Sequence, residues 1–147
     1  MMMGTFRGRM SAFSVQTVCY LLILSSCGDT PPATSDRDIE QINLDQLQKM
    51  SEKPPKKYPL VLLDARSEAK FALGHLPGAI NIPLPKMMAN DLRLVGKTII
   101  VYSQDWEDRI SQVAWKKLRF LGYKRVYDFR EGLYTWERSG ADVVKSE

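Results

Sequence analysis

Thr98-Ile99-Ile100-Val101-Tyr102-Ser103-Gln104-Asp105-Trp106-Glu107-Asp108-Arg109 opens with five residues, β-branched almost throughout, that read as a buried strand, and then turns abruptly polar. From Arg109 to Leu121 the apolar residues Ile110, Val113, Ala114, Leu118 and Leu121 recur at helical spacing, and Gly122 closes the helix. A strand, a polar loop and a helix in that order form one unit of an α/β sheet. The same alternation continues outward. Arg125 to Asp128 reads as a strand, and Leu133 to Arg138 as a helix ended by Gly140. Upstream, Pro59-Leu60-Val61-Leu62-Leu63 is short and continuously apolar, as for a strand buried on both faces. Ser67 starts a brief helix ending at Gly74, and Ala79-Ile80-Asn81-Ile82 is a short strand closed by Pro83. A helical stretch is expected around Lys86 to Leu94, and Ile39 to Met50 reads as an extended piece leading into a short helix. The expected architecture is α/β: one small domain over residues 39–147, with a mainly parallel five-stranded sheet and helices on both faces. In such sheets the ligand site lies beyond the carboxyl ends of the strands.

The chain has 147 residues, 44% apolar and 26% charged, which argues against disorder, collagen-like repeats and a multi-pass membrane protein. Its formal charge is +4, from 21 basic and 17 acidic residues. Arg7 and Arg9 belong to a segment expected to be removed; without them 19 basic face 17 acidic residues, a balance of +2 that gives no support to a nucleic-acid partner. Both cysteines, Cys19 and Cys27, lie near the amino terminus, so no thiol follows Cys27.

Residues 1–11 carry two arginines and no acid, and the thirteen residues Ala12 to Leu24 carry no charge. A helix needs roughly 20 residues to cross a bilayer, so this run reads as the core of a signal peptide over residues 1–26. Leu24-Ser25-Ser26-Cys27 then resembles the bacterial lipobox, in which an apolar residue and two small ones precede the cysteine that is acylated. An ordinary secretory signal and a short uncleaved anchor are the alternatives. The lipobox reading places Cys27 as the lipid attachment (palmitate among the acyl chains), and the mature chain outside the cytoplasm in a bacterial cell envelope, held to a membrane. Residues 27–38 are rich in Pro, Ser, Thr and Asp, and are expected to be a flexible tether reaching about 20 Å.

Leu62-Leu63-Asp64-Ala65-Arg66, then Phe71, then Gly74-His75-Leu76-Pro77-Gly78-Ala79-Ile80-Asn81-Ile82-Pro83 resembles the amino-terminal signature of rhodanese-like domains. Leu121-Gly122-Tyr123, Val126-Tyr127, Gly132 and Trp136 resemble their carboxyl-terminal half, with Glu131 where the first glycine of a pair is common. The resemblance implies a sulfurtransferase fold, in which active members carry a cysteine at the end of the central strand that takes up and passes on a sulfur atom. At that position stands Ser103, whose hydroxyl cannot become a persulfide. No catalytic residue is therefore expected, and the loop Ser103, Gln104, Asp105, Trp106, Glu107, Asp108, Arg109 is read as a degenerate ligand-binding loop of a binding or scaffolding module with a protein partner. The alternative is sulfur transfer, or a phosphatase-like activity, by that loop.

Five residues separate Ser103 from Arg109, where the family's sulfurtransferase loop usually has four; the longer spacing is similar to that of phosphatases and arsenate reductases of the same fold. Charge opposes the phosphatase reading, because Asp105, Glu107 and Asp108 face an incoming dianion with only Arg109 to offset them. These three acids lack the further ligands a divalent cation needs, so neither metal nor cofactor is expected. A serine nucleophile needs a general base, and the sole histidine, His75, reads instead as a hydrogen-bonded turn residue. Asp64 and Arg66 are read as a structural pair. Trp106 is expected to fold inward and plug the pocket; exposed, it would be a partner contact.

Overall fold

Apolar side chains that alternate along three parallel strands divide the core into two layers, one on each sheet face. The computed structural model describes residues 35–146. Its strands are β1 (Leu60–Asp64), β2 (Ile80–Asn81), β3 (Thr98–Tyr102) and β4 (Val126–Phe129), in the order β2-β1-β3-β4, all parallel. Leu63, Ile99, Val101 and Val126 face one layer, where helix α3 (Ile110–Phe120) contributes Ala114, Trp115 and Leu118. Leu62, Ile100, Tyr102 and Phe129 face the other, closed by α1 (Leu44–Glu52) through Leu47 and by α4 (Gly132–Arg138) through Leu133. A short helix, α2 (Glu68–Leu73), capped by Ser67, connects β1 to β2.

The sheet has four strands where five were expected. The fifth is reduced to a single parallel bridge, Gln41 to Asp128, closed by Asp128 N donating to Glu40 O (2.8 Å) and Ile42 N donating to Asp128 O (3.0 Å). Asn43 ends the pairing at once, because its side chain caps α1 and turns the chain into a helix. The expected helix over Lys86 to Leu94 is a 3-10 turn, Leu84–Lys86, followed by irregular turns. On α3 the buried stripe also differs: Val113 is exposed, and Trp115 is buried instead, its indole N–H donating to Val126 O at 2.7 Å. That bond lets a large amphipathic ring lie in the core without an orphaned donor.

Residues 1–26, expected to be a signal peptide, Cys27 and most of the expected tether lie outside the described residues. At the end of the expected tether, Asp36–Asp38 form a 3-10 turn that Ser35 caps in a reciprocal capping box.

Candidate functional site

The chain leaves β1 toward β2 on one side and later returns to build β3 on the other, so a crevice opens between the carboxyl ends of β1 and β3. Asp64 closes β1. Its buried carboxylate accepts the Arg66 guanidinium as a fork, Nε at 3.0 and 3.1 Å and Nη2 at 2.6 Å. The remaining Arg66 donors reach Gly74 O (2.6 Å) and Gln104 Oε1 (2.7 Å), so one arginine ties the end of β1 to α2 and to the loop after β3. Such a fixed fork suits Arg and not Lys. The crevice, about 330 Å3, is lined by Arg66, Lys70, Gln104, Glu137 and Lys145 among others.

Ser103 follows β3 and is fully buried. Its hydroxyl donates to Asp108 O at 3.1 Å, across the loop. Asp105 Oδ1 accepts the backbone N–H of both Glu107 and Asp108 at 3.0 Å, and Asp108 Oδ1 accepts that of Ile110 at 3.0 Å. Asp105 thus accepts the loop's own amides and Asp108 the first amide of α3, while Glu107 and Arg109 are exposed. Beneath the loop, Leu133 N and Tyr134 N donate to Ser103 O (3.1 Å) and Gln104 O (2.9 Å). This approach requires Gly132: its φ is +67°, and a Cβ there would lie 2.7 Å from backbone atoms of Ser103 and Gln104.

The seven loop residues do not converge on one site. Gln104 reaches the crevice, whereas Trp106 lies in a second groove of about 330 Å3 at the β4 edge, with Asn43, Gln46, Arg130 and Glu131. Trp106 is 61% exposed, so it does not plug the pocket. Arg130 Nε donates to its carbonyl (3.2 Å) and holds the backbone at the rim, which leaves the ring pointing outward. His75 stands away from the loop in its bonding: Nδ1 contacts Phe71 O at 2.9 Å, the ring stacks on Phe71, and its backbone pairs with Val144. That clasp by the carboxyl-terminal segment brings Val143 and Lys145 to the crevice.

A further buried acid escaped sequence reading. Asp128 lies on the α3 face of β4, in phase with Val126, with neither carboxylate oxygen partnered among the described residues. Burial pushes its carboxyl up to about 6; the nearby Ser111 hydroxyl and the positive charge of Arg130 oppose that shift without cancelling it. Ser111 Oγ closes no hydrogen bond of ordinary geometry, so its relief of the charge is weak. Burial likewise holds the Tyr102 hydroxyl protonated well above its ordinary range, where it accepts Leu76 N at 3.1 Å. Among the described residues no group of three or more His, Cys, Asp or Glu gathers as metal ligands.

A small parallel α/β domain with its loop and crevice at the carboxyl ends of the central strands is the class defined by this geometry. Residues 43–139 match the model of the rhodanese-like domain, and the chain belongs to that family. It is 30% identical over 112 residues to the adenylyltransferase and sulfurtransferase uba4 of Ogataea parapolymorpha, covering 76% of this chain and 27% of that protein. It is 28% identical over 91 residues to a sulfurtransferase of Allochromatium vinosum, covering 60% and 81%. The crystal structure of the BH2092 protein from Bacillus halodurans superposes with a TM-score of 0.64 at 22% identity, covering 72% of this chain and 77% of that one. The chain spans a fifth to a half of the length of several curated relatives it matches.

Proposed function

We propose that this chain is a membrane-tethered rhodanese-like domain without sulfurtransferase activity, working as a binding module at the surface of a bacterial envelope membrane. One observation carries the reading: Ser103, at the position the resemblance gives to the family's cysteine, holds its hydroxyl on Asp108 O, and no thiol exists anywhere after Cys27. A hydroxyl offers no sulfur on which to carry a sulfane atom, and the amides of Glu107 and Asp108 are engaged by Asp105. Acylated Cys27 would tether the domain through residues 27–38, and a protein partner would be the cargo of the module.

The sulfurtransferase names of two relatives favour a second reading, in which the loop Ser103 to Arg109 supports sulfur transfer with a thiol supplied by a partner. Thiocyanate formation from thiosulfate and cyanide separates the two. The full chain is expected to give no turnover above background, alone or with glutathione added as the thiol; turnover that needs both the chain and the thiol would favour the second reading. Fatty-acid labelling of wild type against Cys27→Ala tests the tether, and an unlabelled wild type would remove it.

A further inference from the structure

The groove at the β4 edge has a chemistry of its own. Of the three tryptophans, Trp115 and Trp136 donate their indole N–H groups to Val126 O and Asp142 O, whereas Trp106 keeps both ring face and N–H available among the described residues. Around it stand planar hydrogen-bonding groups held in place by the fold. Asn43 Oδ1 and Gln46 Oε1 turn inward to accept each other's backbone N–H at 2.9 Å, which fixes both side-chain amides with their NH2 donors turned outward. Arg130 is held through Nε on Trp106 O, leaving its terminal nitrogens as donors, and Glu131 supplies acceptors.

We propose that this groove binds a neutral saccharide, a β-linked hexose chain with equatorial hydroxyls, whose ring packs on Trp106. In such sugars the hydroxyls lie at the ring edge and the faces present C–H groups, which match the electron-rich face of an indole. Adjacent hydroxyls then meet the amides, guanidinium and carboxylate of the rim as paired donors and acceptors. The charges of Arg130 and Glu131 cancel within the groove, so neither an anionic nor a cationic ligand is selected. An apolar peptide anchor is disfavoured as well: Ile42, the other apolar side chain lining the groove, is 8% exposed and offers little of the dry pocket such anchors need. The volume, about 330 Å3, suits a small ligand and not a protein surface.

The proposal rests on reading the chain as a binding domain but not on the chemistry of Ser103. Its test is a tryptophan-fluorescence titration of the full chain, in a detergent without a sugar headgroup, with triacetylchitotriose and cellotriose as probes. A saturable shift at about millimolar Kd is expected, weakened at least about tenfold in both Trp106→Ala, read by calorimetry, and Arg130→Ala. No saturable binding of either probe, binding retained by Trp106→Ala, or equal binding of the curved α-linked maltotriose overturns the proposal. Thiocyanate turnover measured on the same sample separates the two readings: turnover with saccharide binding intact overturns inactivity alone, and absent binding without turnover overturns the groove alone.

Discussion

Asp105 accepts the backbone N–H of Asp108 on the same carboxylate oxygen that accepts Glu107 N, so the loop after β3 is closed by its own negative charge. A thiol placed at residue 103 would therefore find the amides of Glu107 and Asp108, which would favour thiolate, already engaged by Asp105. Ser103→Cys alone is expected to form no persulfide with thiosulfate, and Ser103→Cys combined with Asp105→Ala to gain it. Peptide mass spectrometry locates the added sulfur at residue 103 or elsewhere. Persulfide on the single variant, at the rate of the double one, would show that the acid is no obstacle.

Gly132 supports the loop from beneath through its positive φ and its contact with Ser103 and Gln104. Gly132→Ala combines backbone strain with a clash against atoms that cannot move aside, and should cost about 2–4 kcal/mol. Urea unfolding monitored by circular dichroism checks it. A change within about 0.5 kcal/mol, the range of ordinary surface substitutions, would mean that the close approach is not maintained in solution.

Arg66→Ala should be more severe than Arg66→Lys, and both should destabilise. Removing the guanidinium leaves Asp64 buried without its counter-charge, at a cost of about 3–5 kcal/mol. Lysine restores the charge but not the fork to Asp64, nor the reach to Gln104 and Gly74. Equal stabilities of the two variants would contradict the reading of Arg66 as a geometric tie.

Asp128 gives a pH dependence of defined sign. Its carboxyl titrates at about 6 when folded and near 3.8 when exposed, so the folded state holds the proton more tightly. Stability contributed by this group is present below about pH 4, declines as pH rises toward 6, and stays lower above it, by an amount on the order of 3 kcal/mol. Asp128→Asn should match wild type near pH 4 and exceed it at neutral pH. Parallel thermal-unfolding profiles for the two proteins across that range would refute the assignment.

Much of the succession of elements along the chain follows from local signals, because short apolar runs alternate with helical stretches. Ser67 caps α2 with its side chain, and the chain leaves the helix at Gly74 in extended backbone. What the sequence concealed was long-range. Nothing local distinguishes Arg66 bonding to Gln104, 38 residues away, from an arginine pairing only with Asp64. Lys145 lines the crevice because Val144 pairs with His75, a contact with no periodic signature. Val113 and Trp115 exchanged roles on α3 because a ring with a satisfied N–H can outcompete a smaller apolar residue for the core. The outward turn of Trp106 depends on Arg130 holding its carbonyl, a contact across 24 residues that leaves no local signal.

The central claim is that no atom of this domain carries sulfane sulfur. The most direct measurement is exposure of the full chain to thiosulfate labelled in its outer sulfur, followed by proteolysis and location of the label. The account expects no label in any peptide after Cys27. Label held covalently on residues 28–147, and released as thiocyanate by cyanide, would contradict it.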